Sequence, residues 1–182
     1  MKKEISFILV SMSLLMYSQK KESEKKSFFG VQAGLFGVNI YNESNLSEQF
    51  ALRSEADLTA GIWGGDLYSK TGFALIPALS VTSKWYYNIN QRNSKSKNTK
   101  NNSANYLSAK LEFVPDWFVI SNVNGIEVKP MILLIPTWGL RRNFAKNLNY
   151  ELQLGLGLGK ILKSGYSLQV VPNLSFRIGY DF

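Results

Sequence analysis

From Phe28 to the end of the chain, apolar and polar residues alternate with a period of two, and no window gives a convincing helical stripe. The last segment is the clearest. Leu168, Val170, Pro172, Leu174, Phe176, Ile178, Tyr180 and Phe182 form one face, and Gln169, Asn173, Ser175, Arg177, Gly179 and Asp181 lie on the other. The same rule sets Tyr150, Leu152, Leu154, Leu156 and Leu158 against Glu151, Gln153, Gly155, Gly157 and Gly159. It sets Leu107, Ala109, Leu111 and Phe113 against Ser108, Lys110 and Glu112, and Phe50, Leu52, Ala56, Leu58, Ala60 and Ile62 against Arg53, Glu55, Asp57 and Thr59. Seven such segments stand out, at about 28–41, 50–63, 72–87, 104–118, 127–141, 148–160 and 167–182. Most are far longer than the roughly five or six residues of a soluble sheet strand, and they exceed the roughly nine to eleven that cross a membrane.

Long strands with one apolar face and one polar, glycine-rich face predict an all-β fold, an antiparallel up-and-down transmembrane β-barrel with its apolar face outward. Single-chain barrels of this kind have an even number of strands. Eight are therefore expected, with one strand hidden near residues 20–35, a long segment split, or a partner closing the ring. A soluble lipocalin-like lipid binder would show the same alternation with its apolar face inward, and the aromatic residues separate the two. If the final strand ends in the periplasm, Trp85, Tyr86, Tyr87, Tyr106, Trp138, Tyr150, Tyr180 and Phe182 gather at that end, while Trp63, Tyr68, Trp117, Phe118 and Tyr166 gather at the other. Two aromatic girdles are what the two bilayer interfaces select. Pro77, Pro130, Pro136 and Pro172 run against the pattern, since each removes a ladder donor from a strand segment.

The N-terminus agrees with export. Lys2 and Lys3 precede an apolar run from Ile5 to Met16 and a polar, small-residue zone at Tyr17-Ser18-Gln19, the layout of a signal peptide over residues 1–18. About a dozen apolar residues are too few to span a bilayer as a helix, which needs roughly 18–20. Residues 19–27 carry the mixed-charge stretch KKESEKKS and read as a leader, and residues 28–182 as the barrel.

Composition adds exclusions. The chain has no cysteine, so disulfides and thiolate metal sites are out. It has no histidine either, which removes the commonest general base and the commonest metal ligand. The glycine-rich run Gly155 to Gly159 sits in a strand and lacks the following helix of a phosphate loop. No cofactor or metal is expected, and no catalysis. The inward polar residues Arg53, Glu55, Asp57, Lys84, Lys110, Glu112, Glu151 and Arg177 could line a pore or a ligand site. An eight-stranded interior is barely wide enough for side chains, so a salt-bridged filling is the expected role. Glu55 and Asp57, two apart on one face, could form an acid/base pair, but their cationic neighbours favour ion pairing.

The net charge is +8. Its densest local source is the loop from Asn88 to Ser103, with Arg92, Lys95, Lys97 and Lys100. That loop is expected to be a solvated turn on the periplasmic side, with contact to anionic envelope polymers or lipid phosphates as the functional alternative. Nucleic acid is not an expected partner for an exported chain.

Several stretches also resemble an uncharacterised group of small, porin-like outer-membrane β-barrel proteins of Bacteroidetes. They are Trp85-Tyr86-Tyr87-Asn88, Asn102-Ser103-Ala104-Asn105-Tyr106-Leu107-Ser108, Pro115-Asp116-Trp117, Pro136-Thr137-Trp138-Gly139-Leu140-Arg141-Arg142-Asn143, Asn149-Tyr150-Glu151 and Arg177-Ile178-Gly179-Tyr180-Asp181-Phe182. The resemblance implies location and fold, an outer-membrane barrel in contact with lipid, and brings no activity with it. It also implies that Phe182 is the terminal aromatic read by the barrel-insertion machinery. The functions consistent with all of this are a structural or binding role in the cell envelope or, alternatively, a narrow channel. With these strand directions, a tag inserted near Asn98 is expected to stay unlabelled on intact cells under a membrane-impermeant reagent. Surface labelling there would reverse the orientation.

Overall fold

The computed structural model describes residues 27–63 and 71–182. The expected signal peptide, nearly all of the leader, and Tyr68 lie outside the described residues. The first sequence segment splits. Gly34 pairs with Gly37 across the two-residue turn Leu35-Phe36, and Gly37 takes the positive φ of 123° that closes it. This makes a hairpin of β1 (Ser27–Gly34) and β2 (Gly37–Asn45). The turn lacks the Asn-Gly or Asp-Gly signature of tight hairpins, so the alternation runs through it in the sequence.

After the hairpin come β3 (Phe50–Trp63), β4 (Gly72–Trp85), β5 (Asn105–Val114), β6 (Ile120–Ser121), β7 (Met131–Asn143), β8 (Leu148–Ile161) and β9 (Gln169–Asp181). All pairings are antiparallel. The eight long strands pair each with the next, and β9 returns to β1 to close a ring. The sheet has nine strands where eight were expected. The ninth is the two-residue β6, which pairs only with Ala74 and Leu75 of β4. Closure is narrowest between β1 and β9, where Gly30–Gly34 face Arg177–Asp181. There the Phe182 amide donates to the Phe29 carbonyl at 2.9 Å and extends the seam by one bond.

The prolines sit where a ladder side is missing. Pro77 pairs with Leu58 on β3, but on its other side β5 pairing starts only at Leu79 and β6 pairing stops at Leu75. Around Pro136 the β7–β8 pairing is interrupted between Leu134↔Leu158 and Thr137↔Gly155, with the register unchanged across the gap. Pro172 pairs with Leu156 on β8 and lies beyond the short β1 seam, and Pro130 immediately precedes β7. Each occupies a position with no amide to donate on one side.

The outward face of the ring is predominantly apolar, and most of the buried inward residues are polar or charged. Phe29, Ile40, Ile62, Leu134, Leu156, Val170 and Leu174 are each more than half exposed, whereas Gln32, Glu43, Arg53, Lys84, Arg141 and Glu151 are buried. A lipocalin-type arrangement has the reverse faces. Among the described residues no helix is long and apolar enough to cross a membrane. The interior also changes along its length. Its terminal half is polar and charged, while toward the β1–β2 turn Ala74, Ala78, Leu133 and Ile135 share the interior with a smaller charged group.

Inward glycines make this filling fit. A Cβ on Gly139 would lie 2.3 Å from the ring of Tyr106, its cross-strand partner, and one on Gly30 would lie 2.4 Å from the ring of Tyr41. Each inward tyrosine thus lies flat over a glycine of the neighbouring strand. Gly157 likewise leaves room for Ile135, 2.7 Å from where its Cβ would be. Gly139→Val is expected to displace Tyr106 and cost about 1–3 kcal/mol as over-packing, read by urea titration of the folded chain. A neutral result would mean that the ring is free to swing away.

Candidate functional site: the charged interior

The interior site grows from strand parity. Odd-numbered residues of β2, β3, β7, β8 and β9 point inward, as do even-numbered residues of β1, β4 and β5. This brings cations from β3, β4 and β7 against carboxylates from β2, β8 and β9.

Glu151 is the hub. Its carboxylate accepts from Lys84 Nζ at 2.7 Å, Arg53 Nη1 at 2.8 Å and Arg141 Nη1 at 3.2 Å. The Tyr106 hydroxyl and Gln32 Nε2 donate to it as well. Glu43 accepts from Arg53 Nε at 2.6 Å, Tyr86 at 2.8 Å and Asn102. Asp181 accepts from Arg141 Nη2 at 2.6 Å, Asn149 Nδ2 at 2.9 Å and the Tyr41 hydroxyl. The Arg53 guanidinium lies 4.3 Å from the Tyr41 ring centroid, and Lys84 Nζ 4.4 Å from that of Tyr106. Glu43, Arg53, Arg141 and Glu151 have no solvent exposure at all. Charges this deep are tolerated only with their hydrogen-bonding capacity nearly filled, and here each carboxylate has three or more donors.

A second, smaller group lies nearer the β1–β2 turn. Arg177 reaches Glu55 at 3.3 Å and Asp57 at 3.4 Å, and Lys110 pairs with Glu112. Arg53 reaches Glu55 at 3.5 Å and links the two groups. Both carboxylates of the Glu55–Asp57 pair thus face the Arg177 guanidinium, an ion-pair geometry.

All eight residues expected inside point inward, but in two groups, and Glu112 and Arg177 are only partly buried. Three further charged members, Glu43, Arg141 and Asp181, were not singled out. Asp181 already stood on the polar face of the last segment. Arg141 closes the fifth segment, and β7 runs on to Asn143. Glu43 lies one residue pair beyond the apparent end of the first segment, and extending the parity there finds it.

The girdle expectation needs correction. Tyr86 and Tyr106 are buried inside, because parity turns Tyr106 inward and the chain after β4 folds under the ring. Trp63 shares the parity of Arg53, Glu55 and Asp57, and its ring covers Gly72, so it belongs to the rim of the interior. Trp85, Tyr87, Trp138, Tyr150 and Tyr180 do gather outside at the terminal end. Trp85 stacks on Phe50 and meets Tyr87 edge-on, Trp138 Nε1 donates to the Tyr87 hydroxyl at 3.0 Å, Tyr150 packs on Phe144 and Phe176, and Tyr180 meets Phe182. Trp117 projects, largely exposed, from the excursion between β5 and β6.

The basic loop keeps its lysines in solvent but is more than a turn. Residues 86–104 fold across the terminal opening through a short helix, Ile89–Ser94, and a tight turn at Lys100–Asn102 in which Asn101 is left-handed. Arg92 Nε donates to the Ser103 carbonyl at 2.7 Å, Arg141 Nε to the Asn101 carbonyl at 2.9 Å, and Asn101 Nδ2 to Asp181 at 3.0 Å. Asn102 and Ser103 are buried, as are Ile89 and Ala104, which pack with Ala51, Tyr86 and Tyr106. The interior charges supply the partners that hold this cap, which is why its Asn and Ser residues, loop-like in sequence, order here.

Compared with known proteins, the chain matches no family model, no curated protein and no solved structure.

Glu151→Gln removes the charge that three buried cations share and is expected to cost about 3–5 kcal/mol, read by urea titration. Glu112→Gln breaks a less deeply buried pair with one lysine and is expected to cost less, about 1–3 kcal/mol. Equal effects would deny Glu151 its place as hub.

Proposed function

We propose that the chain is a small outer-membrane β-barrel with a structural or binding role in the cell envelope, without catalysis and without a conducting pore. The observation that carries this reading is the inverted distribution of polarity. A closed antiparallel ring turns its apolar side chains outward, against whatever surrounds it, and its charges inward. Soluble proteins rarely leave apolar patches above a few hundred Å² uncovered, whereas a bilayer covers such a belt at no cost. Strands of up to 14 residues rise roughly 46 Å. Tilted by about 45°, they exceed the roughly 25 Å apolar band of an outer membrane.

Closure supports the same reading, because only helices and closed barrels satisfy every backbone group within lipid. The aromatic cluster outside the terminal end fits one bilayer interface, with Trp85, Tyr87, Trp138, Tyr150 and Tyr180 at headgroup depth. The motif resemblance to small porin-like barrels agrees, as does the export signal read at residues 1–18. Both ends of the described ring, Ser27 and Phe182, then face the periplasm. The unexposed Glu43, Arg53, Arg141 and Glu151, with the cap of residues 86–104 beneath them, argue for a sealed interior.

Cell fractionation is the test. Recovery in the outer membrane, with a form that migrates faster on a detergent gel before heating, is expected, together with electrical silence in planar bilayers. Recovery as a soluble periplasmic protein would overturn the membrane reading, and unitary conductance steps would overturn the sealed interior.

A further inference from the structure

On β4 the ladder is interrupted where apolar space lies on both sides of the wall. Leu79 pairs with Phe113 of β5 and Leu75 with Ile120 of β6, while Ile76, Pro77 and Ala78 between them pair only with β3. Three residues amount to roughly 10 Å along a strand, and Pro77 has no amide to offer a partner there. Inside the wall, in the half away from the cap, is a cavity of about 500 Å³ walled by Ile76, Ala78, Val114, Ile126, Val128 and Met131. Thr59, Glu112, Glu127 and Lys129 complete its lining. Outside the wall, an apolar groove runs over Leu58, Pro77 and Leu79 to Trp117 and Phe118. Ala78 borders both spaces, so a small side chain and its backbone stand between them at the gap.

The gap is covered from outside. Pro77 lies on the outward side of β4 yet is buried. The excursion of residues 115–119, with buried Pro115 at its base and exposed Trp117 and Phe118, passes beside it before the chain rejoins β4 as β6. Little fixes that excursion to the wall. β6 contributes two residue pairs. Three side-chain bonds flank them, from the Phe73 amide to Asn122 Oδ1 at 2.8 Å, from Ser121 Oγ to the Phe73 carbonyl at 2.7 Å and from Asn122 Nδ2 to the Thr71 carbonyl at 3.4 Å. All three are exposed, and such a short, solvated pairing is where local opening costs least. β6 has the build of a latch, and the excursion that of a flap.

Position sorts the chemistry of the cavity. Apolar side chains line it at the gap, whereas Glu127 and Lys129 are exposed, with Lys129 bonded to the Tyr166 hydroxyl, and Glu112 pairs with Lys110. Charges of both signs favour no charged head. The arrangement suits an amphiphile with one apolar chain and a neutral polar end, and the volume falls in the roughly 300–1,000 Å³ range of small-molecule sites.

We infer that this half of the interior takes the chain of a monoacyl amphiphile with a neutral head, which enters sideways from the bilayer through the gap at Pro77 when β6 releases. The inference rests on the outer-membrane reading, which sets Leu58, Leu79 and the gap within the lipid belt. For the test, the full chain is folded into phospholipid vesicles, verified by fast migration before heating, and given a monoacylglycerol with a photoreactive diazirine in its chain. Crosslinks are expected on inward Val114 and Met131, and excess unlabelled monoacylglycerol is expected to remove them. Leu75→Cys with Ile120→Cys joins an outward pair of the latch in a chain that has no other cysteine. Its oxidised form is expected to lose the inward crosslinks at least tenfold, and reductant to restore them. Val114→Trp, which fills the cavity from a half-buried position, is expected to lower crosslinking at Met131 as much. Crosslinks confined to outward residues such as Leu58 and Leu79 would overturn the inference and leave the membrane reading standing, since they report only lipid around the ring. Equal inward labelling of the oxidised and reduced clasp would overturn it too, placing entry elsewhere than the gap. A parent that does not stay with the vesicles would overturn the membrane reading itself, and the inference with it.

Discussion

Glu151 has no exposure to solvent, yet its carboxylate receives Arg53 from β3, Lys84 from β4 and Arg141 from β7 while itself belonging to β8. Four strands converge on one charge, and that convergence needs a ring closed in the observed register. A slip of one residue in any of these strands would turn its contributing charge to the outside and put an apolar residue in its place. The buried carboxylate would then lack donors, and unpaired charge in such a place is among the costliest defects a fold can carry. The interior network therefore acts chiefly on register and closure. The ladders supply cohesion, and the network makes one closed arrangement far better than its neighbours.

The same network explains the terminal cap. Asp181 and Glu43 have more acceptor capacity than the interior cations fill, and Asn101 and Asn102 complete it from below. Residues 86–104 are thus ordered by the inside of the ring. Asn101 and Asn102 hold left-handed φ values of 46° and 61°, a conformation asparagine tolerates better than most residues. The contacts that fill Glu43 and Asp181 are thus also the ones that close the terminal opening.

Packing inside the ring follows different rules from those of an apolar core. Large side chains come from one strand and glycines from the next, as with Tyr41 over Gly30, Tyr106 over Gly139 and Ile135 against Gly157. A narrow closed sheet has too little interior width for two large residues face to face. The sequence spends glycine on those partner positions, even though each weakens its strand locally.

Alternation of period two determined the all-β class, the long strands and the two faces, because side-chain direction in a strand is a purely local property. It also placed Arg53, Glu55, Asp57, Lys84, Lys110, Glu112, Glu151 and Arg177 on the polar face before any contact was known. Three things were decided only by tertiary structure. The Leu35-Phe36 turn is silent in the alternation, since Gly37 alone carries its backbone signature, so the strand count depended on which strands actually pair. Tyr86 looks like an interface aromatic in sequence, and only the position of Glu43 across the ring draws its hydroxyl inside, whereas Tyr106 already shares the parity of Ser108, Lys110 and Glu112. The ordering of residues 86–104 could not be read locally either, because the groups that bind it, Asp181, Arg141 and Glu43, lie on strands 40 or more residues away for most of its contacts. Direction is local and partnership is not, and that division separates what this sequence states from what its fold adds.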